Sequence, residues 1–183
     1  MNHDLATFML SALAPPPAAR SSARLGRTYS GAAISSSSLV IATVKAVGIG
    51  KLRLCEERTH SFLLADRSQP SIRRFFNEVE VFVRKRRLTH ALLRVSPGSG
   101  KYTAAPTTYM IEGALNLIPG LHVEFAAFQM VLAWARREGG ITPCYPADTP
   151  RRLRDTFSIA IQSACLSEAR ERDPVYRSLA GKA

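Results

Sequence analysis

Hydrophobic residues follow the spacing of β-strands in three short segments in the first third of the chain. β-Branched residues are dense over residues 39–49, and apolar and polar residues alternate over residues 51–56. A more continuous apolar run occupies residues 61–66. Because turn-like residues separate the three segments, the pattern predicts an antiparallel meander of three strands.

Beyond residue 66, helical and extended patterns alternate. Apolar side chains recur three and four positions apart between Ile72 and Val83, which predicts a helix that starts near Ser68 and Pro70. Strands are then predicted over 90–95 and 121–125, and helices over 108–118, 128–135 and 153–165. The chain therefore continues as alternating helices and strands and closes with an added helix.

This order of elements is that of the ribonuclease H-like fold. It predicts an α/β domain with a mixed five-stranded sheet, in which the three-strand meander precedes the alternating helices and strands. Helices are expected to cover both faces of the sheet.

The two ends of the chain differ in composition from its centre. Residues 1–36 are rich in Ala, Ser and Pro, and we interpret them as a disordered leader. An organelle transit peptide or an upstream start site has a similar composition. A single ribonuclease H-like domain is expected over residues 37–171, and a flexible tail over residues 172–183.

Charge is the most unusual bulk property of the sequence. The formal net charge is +11 and the pI is about 10.3, which favours a nucleic acid or another polyanion as partner. A GC-rich genome would produce the same arginine surplus, which is the alternative explanation. The three cysteines are widely separated, which suggests a reducing, cytoplasmic setting rather than a disulfide framework.

No apolar run reaches the roughly 18 residues of a membrane span, so no membrane partner is expected.

Basic residues cluster on the first predicted helix and in the loop after the next strand. Cations at the end of a helix also complement its dipole, which is the alternative reason for this cluster. The candidate nucleic-acid-binding residues are Arg73, Arg74, Arg84, Arg86, Arg87 and Lys101.

The loop Gly98-Ser99-Gly100-Lys101 follows a predicted strand and precedes a predicted helix, as a phosphate-binding P-loop does. Its spacing departs from that motif, because Val95 stands where the first Gly is required and Tyr102 where Ser or Thr is required. The backbone amides and Lys101 can still bind a single phosphate group, and a plain connecting loop is the alternative.

A ribonuclease H-like nuclease holds two divalent metals with carboxylates from its first and fourth strands and from a late helix. The segments predicted as those strands contain no Asp or Glu, so catalysis is not expected. A divergent nuclease would have to use Glu112 and Glu124, and only then would Mg²⁺ or Mn²⁺ be a cofactor. No other metal or cofactor is expected, because His60, His90 and His122 lack a second ligand at metal-binding spacing and are interpreted as structural.

Short motifs spread over half of the chain resemble a known family. They are Gly48-Ile49, residues 100–105, residues 108–112, and Val123-Glu124 leading into Phe128-Gln129. The sequence resembles the bacterial domain of unknown function 3010, whose patterns there are G-I-E, K-G-K-F-A-G-G, S-F-K-x-E and V-E-L-L-S-P-Q. The resemblance implies a RuvC-like, ribonuclease H-like fold.

One departure from those family patterns concerns catalysis. Gly50 stands at the Glu of G-I-E, so any metal-dependent activity of the family is expected to be lost here. The leading hypothesis is a non-catalytic domain that binds nucleic acid or another polyanion through its basic residues. The alternatives are a divergent metal-dependent nuclease and a protein-interaction or scaffold domain.

Overall fold

The computed structural model describes residues 7–9, 26–48, 51–55, 58–95, 105–137 and 146–172. In this part of the chain, a seven-stranded mixed sheet carries helices on both faces. The elements are β1 (Thr7–Met9), β2 (Thr28–Ser35), β3 (Ser38–Gly48), β4 (Lys51–Leu54), β5 (Ser61–Leu63), α1 (Gln69–Arg86), β6 (His90–Val95), α2 (Pro106–Asn116), β7 (His122–Ala127), α3 (Phe128–Arg137), a 3-10 turn (Arg151–Leu153) and α4 (Arg154–Arg172).

The strands lie in the order β1-β4-β3-β2-β6-β7, and β5 pairs with β3. Strands β2, β3 and β4 form an antiparallel meander. Strand β6 runs parallel to β2, and β7 runs parallel to β6. The predicted mixed sheet, with a meander followed by alternating helices and strands, is therefore confirmed. Two predicted meander strands, β4 and β5, pair with opposite ends of the same strand, β3.

The predicted start of the domain at residue 37 is wrong. Strand β2 lies in the middle of the sheet, and β1, also within the predicted leader, pairs with β4. The sheet therefore has seven strands rather than five, and the strand over Ser38–Gly48 is the second strand of the meander rather than the first. Residues 1–6 and 10–25 of the predicted leader, and the predicted tail beyond Arg172, lie outside the described residues.

Close packing explains why the spacing of hydrophobic residues does not predict strand β2. A Cβ atom added to Gly31 would lie 2.1 Å from the carbonyl oxygen of Ala160 and 2.3 Å from the nitrogen of Ala164, because the backbone of α4 rests on the strand. Buried Ser30 donates its hydroxyl hydrogen bond to the carbonyl oxygen of His90. The packing thus requires small or polar residues in β2. A segment with such residues has the composition of a linker, so its sequence does not indicate a buried strand.

Two apolar layers flank the sheet. Alternate residues of β2 face opposite layers, as the pleat of a strand requires. Tyr29 and Ala33 belong to the layer that α3 and α4 cover, whereas Ala32 and Ile34 belong to the layer of α1 and α2. The parallel strands β2 and β6 are buried between these layers.

Helix α1 begins and ends as the sequence predicts. Ser68 is its N-cap and accepts a hydrogen bond from the backbone N–H of Ser71 at 3.4 Å, and Pro70 lies in the first turn. The last turn contains Arg84, Lys85 and Arg86, next to the negative end of the helix dipole. The apolar stripe of the helix packs on the sheet through buried Phe75, Val79, Phe82 and Val83.

Candidate nucleic-acid interface at the carboxyl edge of the sheet

The carboxyl ends of β2 and β6 meet at one edge of the sheet, called here the carboxyl edge. These parallel strands pair Gly31 with Leu92 and Ala32 with Leu93. The next residues along the two strands are Ala33 and Arg94. Without the short strands β1 and β5, β2 and β6 are the first and fourth strands of the ribonuclease H-like order. In a nuclease of this fold, the ends of those two strands supply metal-binding carboxylates. Neither segment, 28–35 or 90–95, contains an Asp or a Glu.

Arg94 places a guanidinium at the carboxyl edge. Its side chain is partly buried, and its Nη2 donates a hydrogen bond to the carbonyl oxygen of Ile34 at 3.4 Å. Burial lowers the pKa of Arg94 from its usual value, yet a guanidinium remains protonated at neutral pH. A fixed positive charge beside Ala33 repels divalent cations, so the residues of this edge do not fit a two-metal site.

The start of α2 lies at the same edge. Ser36, in the β2–β3 turn, adopts a left-handed backbone with φ of 57°. Its carbonyl oxygen accepts hydrogen bonds from the hydroxyls of Thr107 and Thr108 at 3.4 and 3.3 Å. These contacts fix the first turn of α2 against the end of β2.

Helix α4 brings further arginines to the carboxyl edge. It runs antiparallel to β2, because its residue Glu171 contacts Tyr29 whereas Ala160 lies over Gly31. Its amino end therefore lies near the end of β2. This end and the preceding turn present exposed Arg151, Arg152 and Arg154.

A carboxylate also lies at the amino end of α4. Exposed Asp155 occupies the first turn of this late helix. The ends of β2 and β6 supply no carboxylate to share a metal with it. No group of three or more His, Cys, Asp or Glu suited to a metal ion occurs among the residues that the structure describes.

Sequence reasoning did not select Arg94, Arg151, Arg152 or Arg154. The signal for the last three was present as the segment R-R-L-R directly before an apolar helical stripe. Arg94 could be recognised only once β2 was identified as the first strand, because its significance comes from lying next to Ala33.

The predicted basic residues of α1 differ in their contacts. Arg73, Arg74 and Arg84 are exposed on the helix. Two of these arginines are ion-paired one turn away, Arg74 with Glu78 and Arg84 with Glu80, both at 2.9 Å.

The remaining predicted basic residues lie in different surroundings. Arg86 contacts the Nε2 atom of His60 at 3.3 Å and lies over the ring of Phe82. Arg87 is the C-cap of α1, with φ of 53°. Lys101, with the whole Gly98–Lys101 loop, lies outside the described residues.

The structure does not bring Glu112 and Glu124 together. Glu112 belongs to α2, whose buried residues pack into the layer shared with α1. Glu124, on β7, forms an ion pair with Arg170 of α4, at 3.2 Å between Nη1 and Oε2. The two carboxylates therefore lie on opposite faces of the sheet and share no metal position.

The histidines were interpreted as separate structural residues. Two of them, His90 and His122, are neighbours in register on β6 and β7, and their ring centroids are 5.5 Å apart. This pair was not apparent from the sequence, where the two residues are far apart. Among the described helices, none is long and apolar enough to cross a membrane.

Solved structures with this architecture include RuvC of Thermus thermophilus, alone and in complex with a Holliday junction substrate. Each of these two matches has a TM-score of 0.58 at 18% sequence identity, and covers 78% of this chain and 96% of the RuvC chain. The fold is therefore ribonuclease H-like, as the order of elements predicts.

At the level of sequence, the model of a family described as "Protein of unknown function (DUF3010)" matches residues 29–144. None of the curated proteins matches the chain. The family match begins on β2, which lies within the segment predicted as a leader. Gly50, predicted to stand at the Glu of G-I-E, lies outside the described residues.

Proposed function

This chain belongs to the DUF3010 family, and from that membership and its ribonuclease H-like fold we propose that it is a non-catalytic domain that binds nucleic acid or another polyanion. The binding surface is centred on the carboxyl edge of the sheet. Arg94, Arg151 and Arg152 contact phosphate groups there. Lys101 and two exposed arginines near the start of α1, Arg73 and Arg74, are expected to extend this surface.

One observation carries the proposal: Ala33 and Arg94 occupy the ends of the two strands that a nuclease of this fold supplies with carboxylates. A two-metal mechanism requires negative ligands at that position. A guanidinium instead offers several N–H donors in a planar fork, which match the oxygens of a phosphate. The same edge is therefore suited to holding a nucleic-acid backbone rather than to cleaving it.

The charge of the whole chain supports a polyanionic partner. The net charge of +11 attracts a phosphate backbone over a distance of about one Debye length, and the exposed arginines at the start of α4 concentrate this charge at the carboxyl edge. T. thermophilus RuvC, which shares the fold, has been solved with a Holliday junction. Branched DNA is therefore one of the substrates to test.

Binding is tested by fluorescence anisotropy with labelled duplex DNA, single-stranded DNA and a four-way junction over a range of salt. Each neutralised phosphate on duplex DNA contributes about 0.9 to the slope of log K against log salt. We expect a slope of at least about 3 in magnitude for the wild type, and a decrease of about 2 for Arg151→Gln/Arg152→Gln. Arg53→Gln, an exposed change on β4, is the matched control. A wild-type affinity that does not vary with salt would overturn the proposal.

Catalysis is tested with the same DNA probes in the presence of Mg²⁺ or Mn²⁺. We expect the probes to remain intact. Cleavage that disappears in Glu112→Gln or Glu124→Gln would show that the domain is a divergent nuclease. If the native preparation contains a stoichiometric protein and no nucleic acid by its ultraviolet absorbance ratio, the domain is instead a protein-interaction module.

A further inference from the structure

A cavity of about 680 Å³ lies at the opposite end of the same strands, called here the amino edge. The amino ends of β2, β6 and β7 form its floor, and the last turn of α4 forms one wall. Its volume is within the range of about 300 to 1,000 Å³ that is usual for small-molecule sites. The proposed nucleic-acid interface makes no use of it.

Ion pairs neutralise the carboxylates of this cavity. Glu171 accepts hydrogen bonds from the guanidinium of Arg27 and from the hydroxyl of Tyr29, the latter at 2.6 Å. Glu124 is paired with Arg170, whose side chain is only 8% exposed. Burial, and then the hydrogen bond to Glu171, raise the pKa of Tyr29, so its hydroxyl remains a donor at neutral pH. The walls therefore carry little uncompensated negative charge.

Three further basic groups line the same cavity. His90 and His122 lie side by side on neighbouring strands, and the Nδ1 atom of His90 is 3.0 Å from the hydroxyl of Thr89. A backbone hydrogen bond of 2.8 Å, from the N–H of His122 to the carbonyl of Thr89, fixes the two strand ends together. Arg87, the C-cap of α1, completes the group.

We propose that this cavity binds a small phosphorylated compound of about the size of a nucleoside monophosphate, with Arg87, His90 and His122 contacting its phosphate. The charged groups that surround the imidazole pair are the cations Arg27, Arg87 and Arg170 and the ion-paired carboxylates Glu124 and Glu171. A positive surplus of this kind favours an anion over a metal ion. The carboxyl-terminal ends of α1 and α4 also border the cavity and carry the negative ends of their helix dipoles, so the attraction for an anion has to come from the basic side chains.

The test uses the full chain and calorimetric titration with inorganic phosphate and adenosine 5′-monophosphate. We expect the wild type to bind the nucleotide, and His90→Gln/His122→Gln to weaken this binding roughly tenfold. Arg87→Asn should also weaken binding roughly tenfold, and Asn is chosen because it tolerates the left-handed backbone of that position.

Matched controls come from residues outside the cavity. His60→Gln removes an imidazole and Arg58→Gln removes an exposed guanidinium, and both variants should bind as the wild type does. If the double histidine variant does not fold, the imidazole resonances of the wild type are followed by NMR during the titration. Shifts confined to His90 and His122 would then support the site.

Three outcomes would overturn this proposal. They are no binding of either phosphate compound at millimolar concentration, wild-type affinity in both Arg87→Asn and His90→Gln/His122→Gln, and binding of Zn²⁺ by the histidine pair in preference to phosphate. Failure of this proposal is distinguished from failure of DNA binding by Arg151→Gln/Arg152→Gln, which leaves the residues of the cavity unchanged and should bind the nucleotide as the wild type does.

Discussion

The two ends of the parallel strands β2 and β6 have opposite chemical character. At the carboxyl edge, Ala33 and Arg94 stand where the nuclease arrangement requires carboxylates, and arginines of α4 are exposed nearby. At the amino edge, the charges of α4 are paired with those of the strands around a cavity. The fold decides which strand ends meet, whereas the side chains decide what can bind there.

This difference also affects stability. Arg170 at the amino edge is nearly buried and forms an ion pair with Glu124, so the structure depends on that contact. The arginines at the start of α4 are exposed and contribute little to folding. The carboxyl edge should therefore tolerate substitutions that the amino edge does not.

The largest effect is expected from Gly31→Val, which lies between the two edges. A side chain there would overlap the backbone of α4, at 2.1 Å from the carbonyl oxygen of Ala160. We expect a loss of about 3 kcal/mol or more in the free energy of unfolding, measured by urea denaturation, and loss of both binding activities. Gly113→Ala is the control, because an added Cβ meets no atom within 4 Å there. It should stabilise α2 by about 0.5 to 1 kcal/mol. A stable Gly31→Val protein would contradict the observed packing of α4 on β2.

Glu124→Gln tests the amino edge alone. It removes the ion-pair partner of Arg170, whereas Glu124 itself is half exposed, so part of the effect is screened by water. We expect a loss of about 1 to 2 kcal/mol in thermal or urea unfolding. The control is Glu78→Gln, which breaks the exposed pair with Arg74 and should cost less than about 0.5 kcal/mol. Equal losses in the two variants would show that burial of Arg170 does not increase the contribution of its ion pair to the free energy of unfolding.

Arg94→Met tests the carboxyl edge alone. It removes one phosphate contact while retaining an unbranched apolar chain at a partly buried position. We expect the salt slope of DNA binding to fall by about 0.9, with binding of adenosine 5′-monophosphate unchanged. The double variant His90→Gln/His122→Gln should weaken binding of adenosine 5′-monophosphate and leave the salt slope of DNA binding unchanged. Any variant that weakens both activities without unfolding the protein would contradict the separation of the two edges.

The smallest effect concerns His60, which lies outside both edges. Burial, and then the charge of Arg86, lower the pKa of His60 from its usual value. The unfolded chain therefore binds a proton at His60 more readily than the folded protein does. The contribution of neutral His60 to the free energy of unfolding is present above about pH 6.5 and is lost as pH falls through the pKa of His60 in the folded protein. Stability of the wild type should fall with decreasing pH more steeply than that of His60→Gln. An equal pH dependence in the two proteins, measured by urea unfolding, would show that His60 is not the group responsible.

The sequence by itself determined the elements whose signals are local. Ser68 and Pro70 mark the start of α1, and the apolar stripes identify α1 and α4. The order of helices and strands was sufficient to predict the ribonuclease H-like fold. Such features depend on residues a few positions apart, for which hydrophobic spacing and capping chemistry are direct guides.

Only the tertiary structure identified β2 and the two edges. Gly31 and Ala33 are small because α4 lies on their face of the sheet, and the contact of Gly31 with Ala160 joins residues about 130 positions apart. Likewise, Arg94 lies beside Ala33, and His90 beside His122, through the register of parallel strands whose connections pass through helices. Local spacing carries no information about such pairings, because the sheet register that creates them is set by packing on both faces.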